Sequence, residues 1–73
     1  MNVQRLSVHL TGWAQRNEET AEGWAAHGLA DALRTERNLV TEDRVLTLGR
    51  KAAAEHADAY ETAFRAGLAL RGL

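Results

Sequence analysis

His56 is the polar residue whose position most invites chemistry. It falls within an apolar repeat, Val45, Gly49, Ala52, His56, Ala59, Ala63, Ala66 and Leu70, spaced alternately by four and three residues. An imidazole on such a face can ligate a metal or accept a proton. A di-metal helical bundle, however, places a glutamate three positions before its histidine, and Ala53 stands there. The sequence therefore favours a structural histidine held by Asn17 or by a group on an opposing chain. A metal- or ligand-binding bundle centred on His56 is the lesser alternative. His9 and His27 would sit ~27 Å apart on a continuous helix, too far to share an ion, and both read as surface residues.

Asn17 is the one polar interruption of a second apolar repeat, Val3, Leu6, Leu10, Trp13, Asn17, Ala21, Trp24, Gly28 and Ala32. Such a residue can set register or oligomeric state in a helical bundle, or it can cap a new helix. Glu18, Glu19 and Glu22 could face Glu55, Asp58 and Glu61 as a carboxylate cluster. General acid–base pairs need a cleft with shifted pKa values, so a solvated acidic waist is the better reading. Ser7 and Thr11 have no His–Asp arrangement around them, no Gly-rich phosphate loop occurs, and cysteine is absent. Catalysis is not expected and no cofactor is implied.

Five basic residues, Arg34, Arg37, Arg44, Arg50 and Lys51, gather in the middle of the chain and could touch phosphates. Asp31, Glu36, Glu42 and Asp43 lie among them and nearly cancel their charge, and the net charge of the whole is −1 with interspersed signs. A nucleic-acid binder normally carries a basic stripe. A small regulator touching nucleic acid through these arginines is thus an alternative, not the main expectation. Abundant alanine, and arginine in place of lysine, are the bias of a GC-rich genome such as that of an actinobacterium or a phage. That bias says nothing of function.

The elements that must position these residues are helices. Proline and isoleucine are absent, glycine is scattered, and strand-like alternation is missing. Thr41 followed by Glu42 and Asp43 reads as a helix start, giving a helix over about 42–71. The first repeat predicts one helix over about 3–37, with Asn38 as a left-handed closing residue and a turn at 38–41. The alternative is a break near 17–20, with Asn17 as N-cap, which would make a three-helix bundle. The preferred form is an antiparallel helical hairpin ~50 Å long. In it Trp24 lies over Ala52 to His56 and Trp13 over Ala63 to Gly67. Trp13, Trp24, Tyr60 and Phe64 form the core, and burial of Trp24 would make its replacement by alanine cost ~3–5 kcal/mol.

One neighbouring helix covers only part of the apolar arc on the second helix. Some of Leu46, Leu48, Ala53, Tyr60, Phe64 and Leu68 would stay wet, which favours association. The expected solution is a two-fold dimer forming a four-helix bundle, or docking on another protein. Seventy-three residues make a single domain that usually needs such help. The longest uncharged run, Leu6 to Gln15, is half the ~20 residues of a membrane helix. The expectation is a cytoplasmic, non-enzymatic protein–protein interaction module, homodimeric or docked on a partner it modulates.

Overall fold

Thr20 divides the first apolar repeat into two helices. The computed structural model describes residues 3–17 and 19–72, and in it the repeat forms α1 (Val3–Arg16) and α2 (Ala21–Arg34). Thr20 is extended, and its hydroxyl accepts from the Gly23 N–H at 3.0 Å, the bond that caps a new helix. The same hydroxyl donates to the Asn17 carbonyl at 2.9 Å, and Asn17 Nδ2 donates to the Trp13 carbonyl at 2.7 Å. The break thus satisfies backbone groups that both helix ends leave open. Gly23 lies against the Asn17 backbone with no room for a Cβ. That close approach lets α1 turn back along α2. The continuous helix over 3–37 is therefore corrected to a break at 17–20, with Thr20 and not Asn17 as the cap.

Thr35 ends α2: its N–H and its hydroxyl donate to the Asp31 carbonyl at 2.9 and 2.5 Å. Asn38 then opens α3 (Leu39–Ala53) by accepting from the N–H groups of Val40 and Thr41 at 2.9 and 3.3 Å. Its φ of −146° is extended. Asn38 is a start signal for the next helix, not the left-handed end of the last, and α3 begins before Thr41.

The second repeat is broken too. A 3-10 turn over Ala54–His56 joins α3 to α4 (Ala57–Arg71), and here the chain reverses. The Tyr60 ring lies directly on Gly49, although the two would be ~16 Å apart on a straight helix. Leu39 and Leu68 line one cavity. The expected helix over 42–71 is therefore two antiparallel helices. Ala54 carries the reversal with φ 53° and ψ −112°, the one positive φ at a non-glycine among the described residues. Glycine adopts such angles without a Cβ clash. Ala54→Gly is accordingly expected to raise stability by about 1 kcal/mol, read as a higher urea midpoint at unchanged slope. A lower midpoint would mean that the reversal is not strained.

Contacts fix the arrangement. Trp24 meets Tyr60, Gly28 lies on the backbone of Tyr60 and Phe64, and Ala32 meets Gly67, so α2 and α4 run parallel in register, forming the largest interface of the fold. Their other neighbours, α1 against α2 and α3 against α4, run antiparallel. The buried residues of α2 form two sets: Gly28 and Ala32 face α4, while Gly23, Ala26, Ala30 and Leu33 lie on the opposite side, against α1. Helices α1, α2 and α4 thus form one layer with α2 in the middle, and α3 lies over the α2–α4 seam. The Cα extents are 29 × 25 × 14 Å, in place of a hairpin ~50 Å long.

The core lies beneath α3. Tyr60 and Phe64 are each 1% exposed and stack at 6.0 Å, with Ala32 and Ala53 buried beside them. Trp24, Val45, Leu46 and Leu68 pack around this cluster while staying partly exposed. Trp24 packs against the cluster that includes Ala53. It stacks on His27 at 5.0 Å and sets its edge towards Tyr60 at 6.4 Å.

Candidate functional site

Three helices meet at Tyr60. Gly49 of α3 leaves the space its ring fills, and its hydroxyl donates to Asp31 Oδ2 of α2 at 2.7 Å. The other Asp31 oxygen accepts from Arg34 at 3.0 Å. Burial, then the hydrogen bond to the Asp31 carboxylate, push the Tyr60 hydroxyl far above its ordinary value. The folded state holds this proton where the unfolded chain releases it, so the stability it lends is complete below pH ~10 and falls as pH rises further. Tyr60 is the only tyrosine of the chain. Its absorbance at 295 nm is expected to stay protonated-like through pH 10 and to change together with loss of helix. A free titration near pH 10 in folded protein would contradict the Asp31 contact.

This junction floors an open groove of ≈ 640 Å³ between the end of α2 and α3, with Val45, Leu48, Gly49 and Tyr60 below and Asp31, Arg34, Glu36 and Thr41 at its edges. Leu48 is 59% exposed there. Higher on α3, Val40 and Leu39 are 77% and 84% exposed. Leu39 also overhangs a second, smaller hollow shared with Leu46, Phe64 and Leu68 of the α3–α4 hairpin. The site is apolar with a charged rim.

The structure separates the remaining candidate residues. Arg34 is paired with Asp31, Arg37 donates to the Arg71 carbonyl at 2.5 Å, and Arg50 is paired with Asp58 at 3.4 Å and with Glu61. Arg44 and Lys51 remain on the outer side of α3, exposed. Three of the five cations, Arg34, Arg37 and Arg50, are thus engaged within the chain.

Glu18 lies outside the described residues, as does the side chain of Val3. Glu61 is drawn to Arg65 at 2.8 Å and to Arg50, and the Arg65 hydrogen bond above all lowers its pKa. Among the described residues no three His, Asp or Glu side chains are grouped so that they could hold a metal ion. His56 is half-buried in the turn before α4 with Glu55 at 3.9 Å. The Asn17 amide is engaged with the Trp13 carbonyl.

Sequence reasoning missed Asp31, Gly49 and Arg71. Arg71 Nη1 donates to the Ala32 carbonyl at 3.0 Å, tying the end of α4 to α2. Gly49 did sit on the apolar repeat, and a glycine there is a signal of close approach. Asp31 gave none, since its partner is 29 residues away.

Compared with known protein families, with curated proteins and with solved structures, the chain matches none. Among the described residues, no helix is long and apolar enough to cross a membrane.

Proposed function

We propose that this chain is a non-enzymatic protein–protein interaction module that receives an amphipathic helix of another protein in the groove between α2 and α3. One observation carries the reading: Leu48, 59% exposed on α3, borders an open groove that Val45, Gly49 and Tyr60 also line. Isolated exposed apolar side chains are ordinary, but one that borders an apolar-lined groove with charged edges fits a docking surface. Covering such a side chain contributes ~1.5–3 kcal/mol. A partner helix would set its apolar stripe over Val45 and Leu48 and its polar flanks against Arg34 and Glu36, the helix-in-groove mode.

The reading includes self-association. The sequence suggested two hairpins closing a four-helix bundle. The described residues already form four α-helices within one chain, so pairing would take a different form.

The experiment compares wild type with Leu48→Glu and Val40→Glu as immobilised baits in extract from the native host, with bound proteins quantified by mass spectrometry. Both positions are exposed, so circular dichroism should be unchanged. At least one protein held by wild type should fall tenfold or more with Leu48→Glu. Identical profiles for all three baits would overturn the reading.

A further inference from the structure

Helix α3 covers the core without being anchored deeply in it. Ala53 is its only buried residue, yet Tyr60 and Phe64, each 1% exposed, lie beneath it. The Tyr60 ring rests on Gly49, and Leu39 and Leu46 share a hollow with Phe64 and Leu68. Arg50 adds ion pairs to Asp58 and Glu61. All these pairs face each other about Ala54 and its neighbours, where the chain reverses.

The reversal is the part of the fold that its residues support least. Ala54 holds φ 53° and ψ −112°, a conformation that residues other than glycine rarely adopt. Residues 53–57 contain no helix breaker. Leu46, Gly49, Ala53, His56, Tyr60 and Phe64 follow one another at intervals of three and four. A helix running straight through Ala54 therefore presents them as one stripe. The reversal folds that stripe upon itself. Two straight copies set antiparallel would place the same residues against the same partners.

The layer leaves a path for this. Trp24 meets Tyr60 and Ala32 meets Gly67, which sets the first residue of α2 level with the start of α4. The Asn17–Gly23 contact sets the end of α1 close to the same level. Neither helix extends past the reversal, so a straightened α3 leaves the layer into open space.

We infer that α3 is an exchangeable arm whose partner is a second copy of this chain. Each copy straightens at Ala54 and lays its α3 over the Tyr60–Phe64 core of the other. A two-fold axis crosses the long helices at the former reversal. The inference gives self-association a form and does not depend on docking in the groove.

Exchange keeps every α3–α4 contact and changes only the hinge. Two strained alanines become helical, and a strained short hinge is what invites such a swap. Against this stands the lost independent motion of one chain. The closed monomer therefore prevails when dilute, and the dimer grows with concentration.

Protein refolded from urea over a concentration series tests this, with monomer and dimer separated by sedimentation velocity. Ala54→Gly fits the reversal and weakens a straight helix, and each dimer contains two hinges. It should raise the dimer dissociation constant at least ~100-fold, a factor of ~10 per hinge. Ala54→Val, whose branched side chain tolerates the reversal least, should lower it at least ~10-fold. Spin labels at Val40→Cys and Ala69→Cys of one chain, diluted into excess unlabelled chain, distinguish exchange from side-by-side pairing. In the dimer fraction the two labels should stand ~44 Å apart, against a short distance in the monomer. Leu48→Glu should leave the dissociation constant unchanged, so exchange of α3 and docking beside it fail separately. The proposal is overturned if neither wild type nor Ala54→Val dimerises by ~1 mM. It is equally overturned if Ala54→Gly dimerises as well as wild type, or if the labels within a dimer keep the short distance.

Discussion

Tyr60→Ala is expected to unfold the domain. The ring is buried between Gly49, Phe64 and the edge of Trp24, and removing a buried aromatic costs ~3–5 kcal/mol. The hydroxyl holds one oxygen of Asp31, so the change also strips a partner from a carboxylate. A domain of this length has ~4–11 kcal/mol in total. Urea unfolding followed at 222 nm should show a midpoint near zero or no cooperative transition. Tyr60→Phe separates the two contributions: it keeps the ring and should lose about 1 kcal/mol. A loss below 1 kcal/mol for Tyr60→Ala would mean that α2, α3 and α4 do not meet there. Trp24 is half-exposed, so the same truncation at Trp24 should cost less.

Gly28→Ala is expected to destabilise by at least ~3 kcal/mol, although glycine to alanine inside a helix ordinarily gains ~1 kcal/mol. A Cβ at residue 28 would collide with the Tyr60 carbonyl and stand 3.2 Å from the Phe64 nitrogen. Those atoms belong to the backbone of α4 and cannot rotate away, so the helices must separate along their largest interface. Gly12→Ala is the control. Its Cβ would meet only the end of the Arg16 side chain at 3.5 Å, and it should stabilise. Two chemically identical substitutions thus move the urea midpoint in opposite directions. Equal stabilisation by both would contradict the close approach of α2 and α4.

The helical class is legible in the residues, but the places where the helices end are not. The reason is one of phase. The break at residues 17–20 spans four positions, nearly one helical turn. Trp13, Asn17, Ala21 and Trp24 therefore keep their spacing whether or not the helix continues. Residues 54–56 span three and consist of Ala, Glu and His, none of which punctuates a helix as Gly or Pro would. Thr20 carries a capping hydroxyl with Glu22 in the turn behind it, but on sequence alone Asn17 is the preferred cap of any break, and the unbroken apolar phase argues against one.

The same effect hid the topology. Gly28, Gly49 and Gly67 lie on the apolar repeats and read as small members of a stripe. In the structure another helix's backbone, ring or side chain comes close against each of them. Tyr60 and Phe64 are recognisable as core candidates because aromatic residues on an apolar repeat have few alternatives to burial. The groove is not legible at all: its parts come from 31 to 60 and meet only once the chain has reversed at Ala54. The expected wet surface is found in part. Leu48 is exposed, whereas Tyr60, Phe64 and Ala53 are covered within the chain, and among the described residues the exposed large apolar side chains are Val8, Leu39, Val40 and Leu48.

The proposed docking groove exists only if α3 folds back over α4, and the absence of cysteine allows that to be measured in the monomer with two introduced labels. Spin labels at Val40→Cys and Ala69→Cys, both exposed positions, report the distance between the start of α3 and the end of α4 by double electron–electron resonance. A reversal at Ala54 predicts a single short distance, well under half the ~44 Å that a continuous helix would place between these residues. A distribution centred near ~44 Å would restore the long second helix and remove the groove, the Tyr60 junction and the layered fold together.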